Sequence, residues 1–439
     1  MGGDEAQALM DEVNAAFAAN DIAGARPHLE RLAALLPGNG QVWRSLGQAC
    51  LAAEDMSAAE RAFRAAVEID GDDARAIDGL GIVHHRKGDL EEAETLHRRA
   101  IVIDPDLASA WVNRGIALTD LGRADEAAAV LERALVLDPR NAKSRFNLAI
   151  VDLLRGNHLR GWDLYEARLD IQGFQPPPGR RWTGEALKGE RVLLLPDQGF
   201  GDIIQFARFL PEVAARGGTP VLALPPQLMR LMAAQDWSAI YATDDAPPQT
   251  PCWCPLMSLG GALGIEAESI KGAPYMRADG AAWTPRLPAG RKVGLAWAGN
   301  PTHRRDGARS IPSAELAPLL DVPDTTFVIL QVGRRDGDAE FLAGRANVVD
   351  PVADLTDFFD TAALMMDLDL VISTDTVILH LAGALGVPAW GLLPFAPDWR
   401  WGMSGDRTPW YDSLRLYRQP SLGDWAAVVG RTAADLRGI

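Results

Sequence analysis

The sequence of 439 residues contains only three cysteines, Cys50, Cys252 and Cys254. They are too few and too unevenly spaced for a disulfide framework, and Cys252-Trp253-Cys254 has no second ligand pair that would make a zinc site. No apolar run approaches the ~20 residues of a membrane-spanning helix, and the N-terminal residues lack the order of a secretion signal. These absences predict a protein of a reducing compartment, the cytoplasm, with no membrane span.

Positive charge is also scarce, with 43 lysines and arginines against 59 aspartates and glutamates. The resulting net charge of −16 and the pI near 4.9 disfavour partners that are polyanions, so nucleic acid and anionic membrane surfaces are not expected. The content of 48% hydrophobic and 23% charged residues is that of a globular protein, and the length indicates two or three domains.

A repeat with a period of 34 residues occupies the N-terminal third. Small residues at fixed positions let two antiparallel helices approach closely, bulky residues fill the space between helix pairs, and prolines end the second helix. The positions that keep the step are Pro37, Gly71, Pro105 and Pro139; Trp43, Ile77 and Trp111; Gly47, Gly81 and Gly115; and Ala59, Ala93 and Ala127. This spacing resembles that of tetratricopeptide repeats.

Counting from these positions gives a degenerate first unit at about residues 6–38 and a decayed fifth unit from Asn141, within a repeat domain of residues 1–170. A stacked array of this kind is curved, and its concave face usually binds an extended peptide or a folded protein. The alternative is that the array only stiffens the molecule or forms a homodimer.

The pattern changes after a proline-rich linker at residues 171–190. Apolar runs alternate with helical stretches, which is typical of parallel sheets with helices on both faces. The predicted strands lie at 191–195, 220–224, 292–299, 326–332, 368–374 and 388–394. We expect two α/β half-domains, 191–285 and 286–439, with ligands bound beyond the carboxyl ends of the strands.

The first strand-end loop of interest follows residues 191–195, where Gly199 and Gly201 form a turn and Asp202 opens a helix. A carboxylate there would repel a diphosphate, but it could accept a proton from a hydroxyl group. The alternative is that Asp202 only caps the helix, whose N-terminus would lower the pKa of the carboxyl group. Gln198 and Gln205 lie in the same stretch and, with the two glycines, are assigned to the acceptor side.

The second loop, after residues 292–299, collects positive charge in an otherwise acidic protein. Its cationic or potentially cationic residues are His303, Arg304, Arg305 and Arg309, and Asn300 and Ser310 flank them. Local positive charge suits a phosphate leaving group, although a solvated surface loop is the alternative.

The third loop follows the strand at 368–374 and carries Asp375 and Thr376 at the start of a helix. The exposed amides of that helix start can bind an anion, and His380 lies on the same helix face as Thr376. Beyond another strand end, Trp399 and Arg400 could contact a base or sugar, or could equally be core residues. A metal is not expected, because arginines and a helix terminus can supply positive charge.

Together these loops resemble those of the bacterial heptosyltransferase family of GT-B glycosyltransferases, and especially its relatives fused to tetratricopeptide repeats. The resemblance covers most of residues 191–420 and rests on the order of four motifs: DQGFGDIIQFARFLP, WAGNPTHRRDGARSIP, DTVILHLAGALGVP and PDWRWG. O-linked N-acetylglucosamine transferases share the architecture but fewer of these motifs. The fold class that the resemblance implies is α + α/β, an α-solenoid followed by a GT-B fold of two Rossmann-like half-domains.

The resemblance also implies an inverting glycosyltransferase that needs neither metal nor cofactor. Asp202 matches the position of the general base, and Arg309 matches a basic residue on the donor phosphates. Asp375, Thr376 and His380 match the donor-binding turn, whereas Val377 stands where the family usually has a small residue. The nucleotide-sugar donor is expected on the second half-domain, and a protein recruited by the repeats is the expected acceptor. An inactive scaffold and an enzyme with a glycan or lipid-linked acceptor are the alternatives.

Overall fold

A computed structural model describes residues 2–278, 287–302 and 305–439 of the protein. The chain divides into unit 1, Met1–Val151 with Ala167–Ile171, and unit 2, Asp152–Glu166 with Gln172–Ile439. The sequence places residues 152–166 in the repeat domain, whereas their contacts are mainly with unit 2. The predicted limits 1–170, 171–190, 191–285 and 286–439 stay predictions, and the limit at 285/286 lies outside the described residues.

The N-terminal part is helical throughout. Its helices are α1 (Gly2–Ala18), α2 (Arg26–Leu35), α3 (Gly40–Ala52), α4 (Met56–Ile69), α5 (Ala74–Lys87), α6 (Leu90–Ile103), α7 (Ala108–Asp120), α8 (Ala124–Leu137), α9 (Ala142–Leu154), α10 (His158–Tyr165) and α11 (Ala167–Gln172). Each well-matched 34-residue unit of the sequence is one pair of packed helices, α3 with α4, α5 with α6 and α7 with α8.

The repeated residues act as the spacing predicts. A Cβ atom on Gly47 would lie 2.7 Å from the ring of Phe63, so only glycine allows this approach of α3 and α4. The indole Nε1 of Trp43 donates to the carbonyl oxygen of Pro37 at 2.9 Å, and that of Trp111 donates to Pro105 at the same distance. Each tryptophan thereby ties the start of its helix pair to the preceding turn.

The helix pairs of unit 1 stack unevenly. The first helices contact one another directly, α3 with α5 and α5 with α7. Within the described residues, no contact of similar extent joins the second helices α4, α6 and α8. Because the first helices are closer together, the array curves with these helices on its inner face.

Unit 2 contains two sheets with helices between the strands. The strands are β1 (Arg180–Arg181), β2 (Arg191–Leu195), β3 (Thr219–Leu224), β4 (Ile240–Thr243), β5 (Cys252–Pro255), β6 (Arg291–Ala296), β7 (Thr325–Ile329), β8 (Val348–Val349), β9 (Leu370–Thr374), β10 (Ala389–Leu393) and β11 (Leu414–Arg418). The helices are α12 (Phe200–Ala207), α13 (Leu210–Ala215), α14 (Pro226–Ala233), α15 (Leu259–Ala262), α16 (Asp306–Arg309), α17 (Ala317–Leu320), α18 (Asp338–Leu342), α19 (Phe358–Met366), α20 (Val377–Leu385) and α21 (Trp425–Arg437).

All of these strands pair in parallel. The front sheet has the order β1-β5-β2-β3-β4 and the rear sheet the order β11-β10-β9-β6-β7-β8. The predicted α/β region with parallel sheets is therefore confirmed. All six predicted strands exist, but β6 and β7 end earlier than predicted. Beyond their ends a side chain replaces the pairing between main chains, because Gln331 Oε1 accepts the backbone N–H groups of Trp297 and Ala298 at 3.1 and 3.0 Å.

Five strands were not predicted: β1, β4, β5, β8 and β11. Strand β1 lies inside the predicted linker, where Arg180 and Arg181 pair with Cys252 and Trp253 of β5. The three cysteines are buried free thiols. In the part of the chain that the structure describes, no helix has the length and apolar content needed to cross a membrane.

Candidate functional site

Asp202 lies in the turn between β2 and α12 of the front sheet. Its Oδ2 accepts the backbone N–H of Gly199 at 3.0 Å, and its own N–H donates to the carbonyl oxygen of Gly199 at 3.0 Å. The carboxylate therefore caps α12, which is the alternative role that the sequence offers for Asp202. Its other oxygen, Oδ1, accepts a hydrogen bond from Arg400 of the rear sheet, so capping is only half of its bonding.

Arg400 lies in the 3-10 turn Trp399–Trp401 that follows β10, and its side chain is only 7% exposed. Its guanidinium donates to Asp202, to Gln205 Oε1 on the same helix, and to Asp398 Oδ1 at 2.7 Å. Burial alone would lower the pKa of Arg400, but Asp398 and Asp202 raise it above its ordinary value. One buried cation thus joins the strand-end turns of the two sheets.

The electrostatics of Asp202 differ from the sequence-based expectation. Burial raises the pKa of Asp202 above the ordinary aspartate value, and the charges of Asp398 and Asp197 add to the rise. Arg400 and the Gly199 amide act in the opposite direction. The side chain keeps 22% of its surface exposed, but loss of solvation still outweighs the helix N-terminus that was expected to lower the pKa.

Asp375 and Thr376 form the turn between β9 and α20, and His380 lies in the first turn of α20. The His380 ring is buried, with Nδ1 at 2.8 Å from the Tyr411 hydroxyl oxygen and Nε2 at 3.9 Å from Asp375 Oδ1. The Thr376 hydroxyl is 3.1 Å from that of Ser373. This turn is therefore held by side-chain contacts on both flanks of the helix start.

Burial shifts the pKa values of His380 and Asp375 in opposite directions. Burial and the charges of Arg400, Arg208 and Arg309 lower the pKa of His380 well below its ordinary value, so the ring is neutral. Burial, and then Asp398, raise the pKa of Asp375 to about 6, against the opposing effects of Trp401, Arg400 and Arg309. Neutral His380 therefore adds no positive charge to this turn, and the charge there comes from the neighbouring arginines.

The two turns meet directly. A Cβ atom on Gly201 would lie 2.7 Å from Cδ2 of His380, so glycine is needed for this approach. Helices α12 and α20 pack against each other at this point. The structure brings Asp202, Gly201, His380 and Arg400 into one cluster whose members are in direct contact across the two turns.

Arg309, at the end of α16, contacts the turn that carries Asp375. Its Nη1 donates to the carbonyl oxygen of Asp375 at 3.2 Å, and its Nε is 3.7 Å from Asp306 Oδ1. Ser310 donates to Asp306 at 2.9 Å and accepts the N–H of Gly299 at 3.1 Å. The loop is thus fixed by a buried aspartate.

The other predicted residues are more scattered. Arg305 donates to the carbonyl oxygen of Ala396 at 2.9 Å, and Asn300 accepts from Thr302 within its own turn. Gln198 is half-buried in the turn before Gly199. His303 and Arg304 lie outside the described residues. Trp399 is only 3% exposed, because it packs on its neighbours rather than facing an open cleft.

Several residues that hold the predicted site residues in place carry no local signal in the sequence. Tyr411 bonds His380 from a loop before β11, and Arg335 bonds both Asp306 and Ser310. An acid inside the cationic loop could have drawn attention to Asp306, but nothing marks Tyr411 or Arg335. Over the described ranges, no group of three or more histidine, cysteine or acidic side chains could hold a metal ion.

Family models for the tetratricopeptide repeat match residues 10–74, 76–109 and 108–141. The helical array is a tetratricopeptide-repeat array. Protein FlbA of Caulobacter vibrioides is 29% identical over 334 residues, which are 67% of this chain and 55% of FlbA. The chain thus spans about half the length of this relative. Because the aligned segment is longer than unit 1, the similarity extends beyond the tetratricopeptide repeats into unit 2.

Solved structures resemble the tetratricopeptide-repeat part. A thermophilic TPR protein of Thermus thermophilus has 20% identity and a TM-score of 0.34, and the match covers 40% of this chain and 93% of that one. MamA (41-end) of Desulfovibrio magneticus RS-1 has 16% identity and a TM-score of 0.34, with 40% and 100% covered. TM-scores below 0.5 are too low to carry a conclusion about function.

Proposed function

We propose that unit 2 is a GT-B glycosyltransferase that moves a sugar from a nucleotide-sugar donor to a hydroxyl group, with inversion and without a metal ion. The tetratricopeptide-repeat array recruits the acceptor, a protein. The observation that carries the proposal is the meeting of two parallel sheets through their strand-end turns, with Asp202 on one side and Arg400, His380 and Asp375 on the other. Ligands of open α/β sheets bind at such turns.

In the proposed reaction Asp202 is the general base. Its carboxylate takes the proton of the acceptor hydroxyl while that oxygen forms a bond to the anomeric carbon. The bond from that carbon to the phosphate oxygen breaks, and the nucleotide leaves with the electron pair. A pKa raised by burial makes Asp202 a stronger base than an ordinary aspartate, which favours proton transfer to it.

The positive charge for the leaving phosphate comes from Arg400 and Arg309. Arg400 is already paired with Asp202 and Asp398, so donor binding must exchange these carboxylates for phosphate oxygens. That exchange frees Asp202 for the acceptor in the same step. The amides at the start of α20 add further donors for an anion.

Residues on the inner face of the array favour a protein as the acceptor. The half-buried Ile82, Ile116 and Ile150 recur every 34 residues on the first helices α5, α7 and α9. Such a ladder gives an extended peptide regularly spaced apolar contacts, as curved repeat arrays commonly do.

A second candidate is a catalytically inert scaffold that binds protein partners through its repeats. It is favoured by the cluster itself, because the Asp202–Arg400 ion pair and the Gly201–His380 contact fill the space where a sugar would bind. Isothermal titration calorimetry with nucleoside diphosphates and cytidine monophosphate separates the two candidates. An inert scaffold gives no binding heat with any of them.

The activity test uses the purified full chain, a panel of nucleotide sugars, and mass spectrometry of proteins co-expressed with it. Asp202→Ala is expected to lower turnover by about 10²–10⁴-fold, the usual contribution of a general base. Asp244→Ala removes an exposed carboxylate of the front sheet region and is the matched control. Chelation with EDTA is expected to leave turnover unchanged. Equal turnover of the Asp202 and Asp244 variants would refute the proposed base.

A further inference from the structure

Trp162 of α10 lies outside every motif of the proposed transferase, yet it is 2% exposed within unit 2. Its indole Nε1 donates to the carbonyl oxygen of Ile265 at 2.8 Å. Its ring covers Gly260, where a Cβ atom would lie 2.5 Å from Trp162 Cδ2. The ring orientation is therefore fixed by a hydrogen bond at one edge and by a glycine beneath it.

The same ring touches the structures that carry both members of the Asp202–Arg400 ion pair. Trp162 meets Trp399 edge-to-face, with centroids 5.2 Å apart and planes at 89°. It meets Phe206 in the same way, at 5.9 Å and 87°. Trp399 immediately precedes Arg400, and Phe206 lies in α12, one turn after Asp202.

Trp399 in turn contacts the guanidinium of Arg400. The guanidinium carbon of Arg400 lies 4.2 Å from the centroid of the Trp399 ring, within the range of a cation–π interaction. Trp399 also packs edge-on against Trp410 at 5.7 Å, so its ring is held on two sides. If Trp162 is truncated, one side of that support is lost and the ring that underlies the guanidinium can shift.

We propose that Trp162 is a positioning residue for Arg400, acting through Trp399, and that α10 is in this sense part of the transferase site. Only the effect of Trp162 on sugar transfer rests on the proposed function. The position of Arg400 can be measured without any substrate. Aromatic edge-to-face contacts of this kind are directional, so the shape of the ring matters as well as its volume.

The test is a nuclear magnetic resonance spectrum of the Nε–H groups of the full chain labelled with ¹⁵N-arginine. The Arg400 signal is the one lost in Arg400→Lys. In Trp162→Ala we expect this signal to shift and its exchange with water to speed up by about tenfold or more, because the turn opens more readily. Trp162→Phe retains an aromatic edge and should restore most of the protection.

Trp253→Ala is the matched control, because it removes an equally large buried side chain from the front sheet, where Trp253 packs on Phe174. An unchanged Arg400 signal in a folded Trp162→Ala chain, or an equal change in the control, would overturn the inference. If Trp162→Ala does not fold, Trp162→Leu, whose aliphatic side chain is close in size to that of phenylalanine but has no ring, is compared with Trp162→Phe. Equal Arg400 signals in these two variants would likewise overturn the inference. If the wild-type protein turns over no nucleotide sugar, the proposed function is refuted. If Trp162→Ala still loses the protection of Arg400 in that case, the positioning role remains intact.

Discussion

Replacing Asp375 by asparagine is expected to stabilise the protein at neutral pH. Burial and Asp398 raise the pKa of Asp375 from 3.8 to about 6, so the folded protein holds this carboxylate less favourably than the unfolded chain does. At about 1.36 kcal/mol per pKa unit, the shift corresponds to a cost of about 3 kcal/mol when the group is charged. The side chain is 14% exposed, so solvent screens little of this cost. Asparagine keeps the shape and an acceptor oxygen without the charge.

The pH dependence follows from the direction of the shift. A pKa raised in the folded state contributes stability that is fully present below 3.8 and is lost as the pH rises through about 6. The advantage of Asp375→Asn in the free energy of unfolding should therefore grow by roughly 1.4 kcal/mol between pH 5 and pH 8. Urea unfolding followed by tryptophan fluorescence measures it, with Asp367→Asn, an exposed acid of the rear sheet region, as the reference. A difference that is flat with pH, or an asparagine variant less stable than wild type at pH 8, would refute the reasoning.

Glycine substitutions test the close contacts in each unit. Gly201→Ala should lower the free energy of unfolding by about 1–2 kcal/mol, because overpacking against His380 costs about 1–3 kcal/mol and the better helix propensity of alanine returns up to about 1. Gly199→Ala, whose nearest contact is at 3.5 Å, should cost less, and equal melting temperatures of these two variants would contradict the contact. Gly47→Ala should destabilise the repeat array by a similar 1–2 kcal/mol, whereas Gly71→Ala, with open space around it, should stay within about 0.5 kcal/mol in urea unfolding.

The repeat array could be predicted because its determinants are local in sequence. Gly47 and Phe63 are sixteen positions apart, within one unit, and the same relation recurs between Gly115 and Leu131. Apolar strands such as β2 and β9 could also be predicted, because each is a continuous apolar run in the sequence. Strand β5 was missed because Cys252–Pro255 is short and ends in proline, and β1 because two exposed arginines have no strand pattern. Their pairing is set by the sheet, which local sequence does not encode.

The candidate site shows the same limit. Asp202 and Arg400 could each be placed after a strand, but 198 positions separate them, and nothing local indicates that they pair. The helix N-terminus at Asp202 is readable from sequence and predicts a lowered pKa. Burial, which depends on how the two sheets approach, is not readable, and it reverses the direction of the shift. The assignment of these residues to catalysis stays a prediction.

The pairing of β1 with β5 has a consequence for biosynthesis. Arg180 of β1 can find its partner Cys252 only after the ribosome has made the intervening seventy-odd residues, whereas each repeat hairpin closes within its own 34. At about 5–20 residues per second, the helical array is complete on the order of ten seconds before that sheet edge can close. Nascent chains therefore pass through a stage in which the helical array is folded while the front sheet of unit 2 is still incomplete.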